Sequence, residues 1–109
     1  MVTTKEKALQ IASEAARGLK QIYEDRLRGV YLYGSAARDQ LNPDSDIDIA
    51  VVLDEIESPF EEHERTSQLA SDISLEYDTL MSFLFVTEAD YQRGRFAIHR
   101  IIKEEGIPA

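Results

Sequence analysis

The sequence predicts an α/β (α+β) fold: a small mixed β-sheet with helices packed on one face. Three observations predict it. Amphipathic stripes at helical spacing alternate with short runs rich in branched and aromatic residues. One such run, residues 46–53, is apolar almost throughout beyond Asp48, as a strand covered on both faces must be. Turn residues separate the segments at short intervals, with no repeat, linker or low-complexity tract. With 109 residues, the chain is expected to form a single domain over 1–109, large enough to bury one core.

The elements follow in order. Thr3-Thr4-Lys5-Glu6 reads as a capping box with Thr3 as N-cap, opening a helix over 4–26. Its apolar stripe is Leu9, Ala12, Ala16, Leu19 and Tyr23, flanked by Ala8, Ala15 and Ile22; Gly18 weakens it by about 1 kcal/mol relative to Ala. Arg28-Gly29 breaks the pattern, and Val30-Tyr31-Leu32-Tyr33 is a first strand. Asn42-Pro43-Asp44-Ser45 is a turn, and residues 46–53 form a second strand. Ser58 as cap, Pro59 at the first helical position and Glu61 start a helix running to about residue 75, with Phe60, Leu69, Ala70 and Ile73 on its buried side. Residues 80–86 form a third strand. Thr87 opens a short helix that Gly94 ends; Phe96, Ile98, Ile101 and Ile102 mark a last one, stopping at Gly106-Ile107-Pro108.

Composition narrows the function classes. Without cysteine there is neither a disulfide framework nor a thiolate zinc site, which fits a reducing cytoplasm. Twelve Lys and Arg against twenty-one Asp and Glu leave a formal charge of −9, which argues against direct nucleic-acid binding. The charge fits either a solvated surface or a basic partner protein. No stretch approaches the ~18 apolar residues that cross a bilayer, so no membrane role and a cytoplasmic location are expected.

The chemistry concentrates between the first two strands. Gly34-Ser35 ends the first strand, and Asp46-Ile47-Asp48 opens the second. Gly34 lets backbone approach closely. Ser35 caps a short helix expected to follow and offers its hydroxyl and nearby amides to a phosphate; Arg38, one turn along, adds a cation. Asp46 and Asp48 alternate along a strand and so project to one side, about 7 Å apart, as hard oxygen ligands for Mg²⁺. Asp78, at the expected start of the third strand, is the candidate third carboxylate, with Glu76 as a weaker competitor of the same parity. This ordered set points to metal-assisted phosphoryl or nucleotidyl transfer. A calcium loop starting at Asp44 is excluded because its sixth position is Ile49, where Gly is required. His63 and His99 do not cluster with acids, and no Ser/His/Asp nucleophile arrangement can be built.

Gly34-Ser35-Ala36-Ala37-Arg38 followed by Asn42-Pro43-Asp44-Ser45-Asp46-Ile47-Asp48-Ile49 resembles the signature of the DNA polymerase β-like nucleotidyltransferases, and within them the minimal nucleotidyltransferase (MNT) group. The likeness covers about residues 28–107, including an ending, Ile101-Ile102-Lys103-Glu104-Glu105-Gly106-Ile107, similar to MNT C-termini. It implies the polymerase β-like fold, with Asp46 and Asp48 as Mg²⁺ ligands and Asp78 as the third acid, helping to activate the attacking hydroxyl. Gly34 and Ser35 would hold the triphosphate of ATP. Many members have Gly where this chain has Asp39, which puts loop shape and triphosphate affinity in question. The resemblance further implies an antitoxin that transfers AMP from ATP to tyrosine of a HEPN-domain toxin, commonly an RNase. Two alternatives stand beside it: an antitoxin acting by steric binding alone, and a nucleotidyltransferase acting on a small-molecule hydroxyl.

Overall fold

The computed structural model describes residues 4–42 and 45–109. Helix α1 spans Lys5–Tyr23. The expected cap, Thr3, lies outside the described residues; Thr4 performs the role, its hydroxyl accepting from the Lys7 N–H at 3.2 Å. Ala8, Ile11, Ala12, Ala15, Leu19 and Tyr23 form the buried stripe, while Ile22 turns partly to solvent. Gly18 has a packing use that propensity does not reveal: a Cβ there would stand 2.6 Å from Leu69 Cδ1, so its absence lets the helix carrying Leu69 settle close.

A single 3₁₀ turn, Glu24–Arg26, leads into β1, Leu27–Tyr33. The strand thus begins earlier than expected, because Arg28-Gly29 does not break it; the register shifts there, from Leu27 opposite Leu53 to Gly29 opposite Val52. Such an irregularity takes up one residue without ending the strand. β2 spans Ile47–Leu53, α2 Pro59–Tyr77 and β3 Met81–Thr87. Two short helices follow, α3 over Glu88–Arg93 and α4 over Ala97–Glu105, then a two-residue strand β4, Ile107–Pro108. The expected stop after α4 is therefore also an edge strand, where proline costs no ladder bond on its outer side.

The sheet order is β3-β2-β1-β4, with β1 antiparallel to both neighbours and β3 parallel to β2. β2 is therefore central. Its Ile47, Ile49, Val51 and Leu53 pack with Val30, Leu32, Met81 and Phe83 under α1 and α2. The two long helices cover that face as expected, and the short C-terminal helices reach the other, where Tyr31 stacks on Tyr91 of α3 at 5.3 Å between ring centroids. Ser58 caps α2, as predicted, by accepting from the Glu61 N–H. Phe60, however, is 70% exposed. The buried side of α2 keeps the expected Leu69, Ala70 and Ile73 and adds Glu62, Thr66 and Tyr77, and its two polar members disguise it. Among the described residues no helix is long and apolar enough to cross a membrane.

Candidate active site

Antiparallel pairing puts the end of β1 beside the start of β2, with Tyr33 opposite Asp48. The chain then leaves the sheet at Gly34, whose φ of +75° suits glycine alone without strain. Space makes the same demand: a Cβ at position 34 would stand 2.6 Å from Asp48 Oδ2. The glycine of the turn and the second aspartate are thus in direct apposition.

Residues 34–39 are a succession of turns, not the short helix expected after Ser35. The Arg38 N–H donates to the Gly34 carbonyl at 3.2 Å and the Gln40 N–H to the Ser35 carbonyl at 2.8 Å, which closes the loop after one turn. Asp39 ends it with φ +57°, a left-handed conformation that glycine adopts at less cost. Asp39 therefore brings both charge and backbone strain to the end of the loop. Buried Ala36 and half-buried Leu41 pin the segment to the core. Beyond it, Ser45 N–H donates to the Asn42 carbonyl at 3.0 Å, and the Asn42 N–H to Ser45 Oγ at 3.1 Å. This is consistent with the expected turn, although its Pro43 and Asp44 lie outside the described residues.

Asp46 is exposed just ahead of β2, and the next residue is anchored by Ile47 N–H donating to the Leu80 carbonyl at 2.9 Å. Asp48 is half-buried. Burial, and then the charge of Asp46, push its carboxyl above the usual range, with Arg38 opposing them. Burial and then Asp48 push the Tyr33 hydroxyl up to about 12. The Arg38 guanidinium is held nearby, donating to Gln40 Oε1 at 3.1 Å and pairing with Glu105 at 3.3 Å.

Asp78 is placed differently from expectation. It is the C-cap of α2, with φ 49° and its N–H directed at the Leu75 carbonyl, three residues ahead of β3. It shares with Asp46 the rim of an open hollow of about 400 Å³, along with Ser74, Leu75, Thr79 and Leu80. Among the described residues, no three Asp, Glu, His or Cys side chains gather closely enough to hold a metal. The carboxylate trio expected from the sequence is therefore not assembled. Glu76, the competitor, turns toward Glu14 of α1, its carboxyl raised by burial and then by that neighbour's charge. His63 is exposed and sits edge-on to Phe85, and buried His99 accepts the Phe96 N–H through Nδ1.

Asp46 and Asp48 nonetheless suit a hard divalent cation. Both are oxygen donors: Asp46 lines the open hollow, and burial and its neighbour's charge disfavour the ionised form of Asp48, which a cation would relieve. Sequence reasoning missed two neighbours of this pair, Tyr33 on β1 and Ser82 on β3, each the register partner of Asp48. Only the strand pairing reveals them.

Residues 17–106 match the family model described as polymerase beta, nucleotidyltransferase. A protein of Methanocaldococcus jannaschii, whose own assignment as a protein adenylyltransferase is inferred, is 32% identical over 74 residues, covering 68% of this chain and 74% of that protein. A structure from Sulfolobus solfataricus, itself assigned by inference as a nucleotidyltransferase, superposes with a TM-score of 0.67 at 20% identity, covering 95% of this chain and 80% of the other. A toxin–antitoxin structure with AMP-PNP gives a TM-score of 0.61 at 18% identity over 86% and 68% of the two chains. A complex of tri-AMPylated Shewanella oneidensis HEPN toxin with MNT antitoxin gives 0.57 at 17% identity, over 93% and 70%.

Proposed function

The chain belongs to the polymerase β family of nucleotidyltransferases, and from that premise we propose that it is an MNT-type antitoxin that transfers AMP from ATP to a tyrosine hydroxyl of a HEPN-domain toxin. The observation that carries this reading is the apposition of Gly34 and Asp48, which sets the backbone of the turn directly against the second of the two carboxylates. The similarity to MNT–HEPN complexes supports the choice of partner, and the −9 charge suits docking on a basic surface.

In this reading Asp46 and Asp48 hold Mg²⁺, which supplies charge neutralisation for the phosphates when bound. Gly34 and Ser35 receive the triphosphate along the turn, and Arg38 exchanges Glu105 for a phosphate oxygen. The acceptor side chain enters by the hollow bounded by Leu75 and Leu80. Its oxygen attacks the α-phosphorus, the new O–P bond forms, the bond to the β-phosphate bridging oxygen breaks, and pyrophosphate leaves. The hydroxyl proton passes to solvent or to a carboxylate at the mouth.

Incubating the purified chain with a candidate HEPN-domain toxin from the same genome, ATP and Mg²⁺ tests the proposal. The toxin should gain mass in AMP increments, and Asp46→Asn or Asp48→Asn should slow the gain by at least about a hundredfold without unfolding the protein. Full transfer by either variant sinks the metal assignment. Because the two aspartates are not joined by a third acid among the described residues, a second reading keeps the nucleotide site but assigns neutralisation to occlusion; protection of cells by Asp48→Asn would favour it.

A further inference from the structure

We infer that the metal site is completed on its β3 side by the Ser82 hydroxyl rather than by a third carboxylate, so that this chain alone holds a divalent cation weakly. The inference rests on the metal reading of Asp46 and Asp48 above and concerns which residue stands beside them.

The parallel pairing of β2 with β3 makes Ser82 the direct partner of Asp48. Partners on neighbouring strands share a face, with backbones about 4.8 Å apart. Parity agrees: Met81 and Phe83 on either side of Ser82 are buried with the core, whereas Ser82 is exposed. Across the sheet the row therefore reads Tyr33, Asp48, Ser82, with Asp46 just ahead of it. β3 itself, Met81-Ser82-Phe83-Leu84-Phe85-Val86-Thr87, contains no acid. Asp78, four residues before Ser82, has its backbone in the left-handed cap of α2 and lines the hollow beside Asp46, and among the described residues it forms no cluster of three acids with Asp46 and Asp48.

Charge count decides the consequence. Two carboxylates balance one divalent cation, and a neutral hydroxyl adds a donor without adding charge. Mg²⁺ bound by one or two carboxylates ordinarily completes its shell with water and substrate phosphates. Converting the hydroxyl to a carboxylate adds a unit charge at contact distance, which in a partly solvated site raises cation affinity by at least about tenfold.

Titrating Mn²⁺ alone, with free ion followed by electron paramagnetic resonance and folding checked by thermal melting, tests this on four proteins. Relative to wild type, Ser82→Asp should bind at least about tenfold tighter, Asp78→Asn should stay within about twofold, and Asp48→Asn should lose at least about tenfold. A folded Ser82→Asp with no gain, or a loss in Asp78→Asn, overturns the inference while leaving the metal reading intact. Wild-type binding by Asp48→Asn overturns the metal reading itself, and the inference with it. If Ser82→Asp does not fold, Ser82→Cys titrated with Cd²⁺ decides the same question: a gain over wild type supports the placement, and no gain overturns it.

Discussion

The two ends of β2 both carry acids, and their surroundings are opposite. Past the C-terminal end, Asp54 accepts the Glu55 N–H at 2.7 Å and Arg26 Nε at 3.1 Å. Arg26 also donates to the Glu55 carbonyl and to Glu62 Oε2, and Glu62 receives the Tyr23 hydroxyl at 2.9 Å. Burial, and then the bond to Glu62, push the Tyr23 hydroxyl well above its ordinary value. At the N-terminal end the dominant influences on Asp48 are burial and a second carboxylate. Acid count therefore does not separate structure from function here; the supply of donors does. One end spends its donors on holding α1, α2 and β2 together, and at the other Arg38 opposes the burial and repulsion that act on Asp48.

The largest expected effect on stability falls at the satisfied end. Glu62 is 3% exposed, and removing it strips partners from both Tyr23 and Arg26. Glu62→Ala should cost about 2–4 kcal/mol in urea melts, while nucleotide binding by the folded fraction stays near wild type. Asp48→Asn should lose function and cost no stability, because it removes a half-buried charge beside a like one. If Asp48→Asn proves the more destabilising of the two, the contrast between the ends is wrong.

Next in size is Gly34→Ala. It faces a positive φ and a contact at 2.6 Å with Asp48 Oδ2, the oxygen that the proposed metal site gives to the cation. The expected cost is about 1–3 kcal/mol, together with weakened binding of Mn²⁺, since Asp48 must move. Retained stability with normal Mn²⁺ affinity would show that the turn and the carboxylate are not mechanically joined.

These regions differed in how much of them the sequence disclosed. Element order, the central place of β2 and the Gly34 to Asp48 stretch were legible because each has a local signature: periodicity, turn residues, a glycine where backbone must come close. Asp78 was misplaced because its signature is ambiguous. An aspartate between a helix and a strand can start the strand or cap the helix, and here the left-handed cap takes it. Ser82 was invisible because its importance comes from register with a strand more than thirty residues away in sequence. Phe60 misled for a related reason: Glu62, paired with Tyr23 of α1, and Thr66, whose hydroxyl donates back to the Glu62 carbonyl, hold buried places on α2 that apolar residues usually fill. The network around Glu62 was unreadable for the same cause, since Tyr23, Arg26 and Glu62 meet only once α1 and α2 are packed.

The smallest effect sharpens the comparison by pH. The Asp54 carboxyl is held below its usual range, first by the Glu55 N–H; burial opposes this, and Arg26 adds to it. A carboxyl whose value is depressed on folding stabilises the native state above its unfolded value and loses that contribution as pH falls through the folded one. The window is therefore acidic, beginning near the ordinary value of 3.8 and extending below it. Denaturation of wild type and Asp54→Asn at pH 6 and at pH 3 should show a modest deficit for the variant at the higher pH, shrinking as the wild-type carboxyl takes up its proton. The group is exposed, and salt should reduce the deficit as it screens the Arg26 pair. A deficit that instead grows on acidification would mean that Asp54 behaves as Asp48 does, and that donors do not distinguish the two ends of the strand.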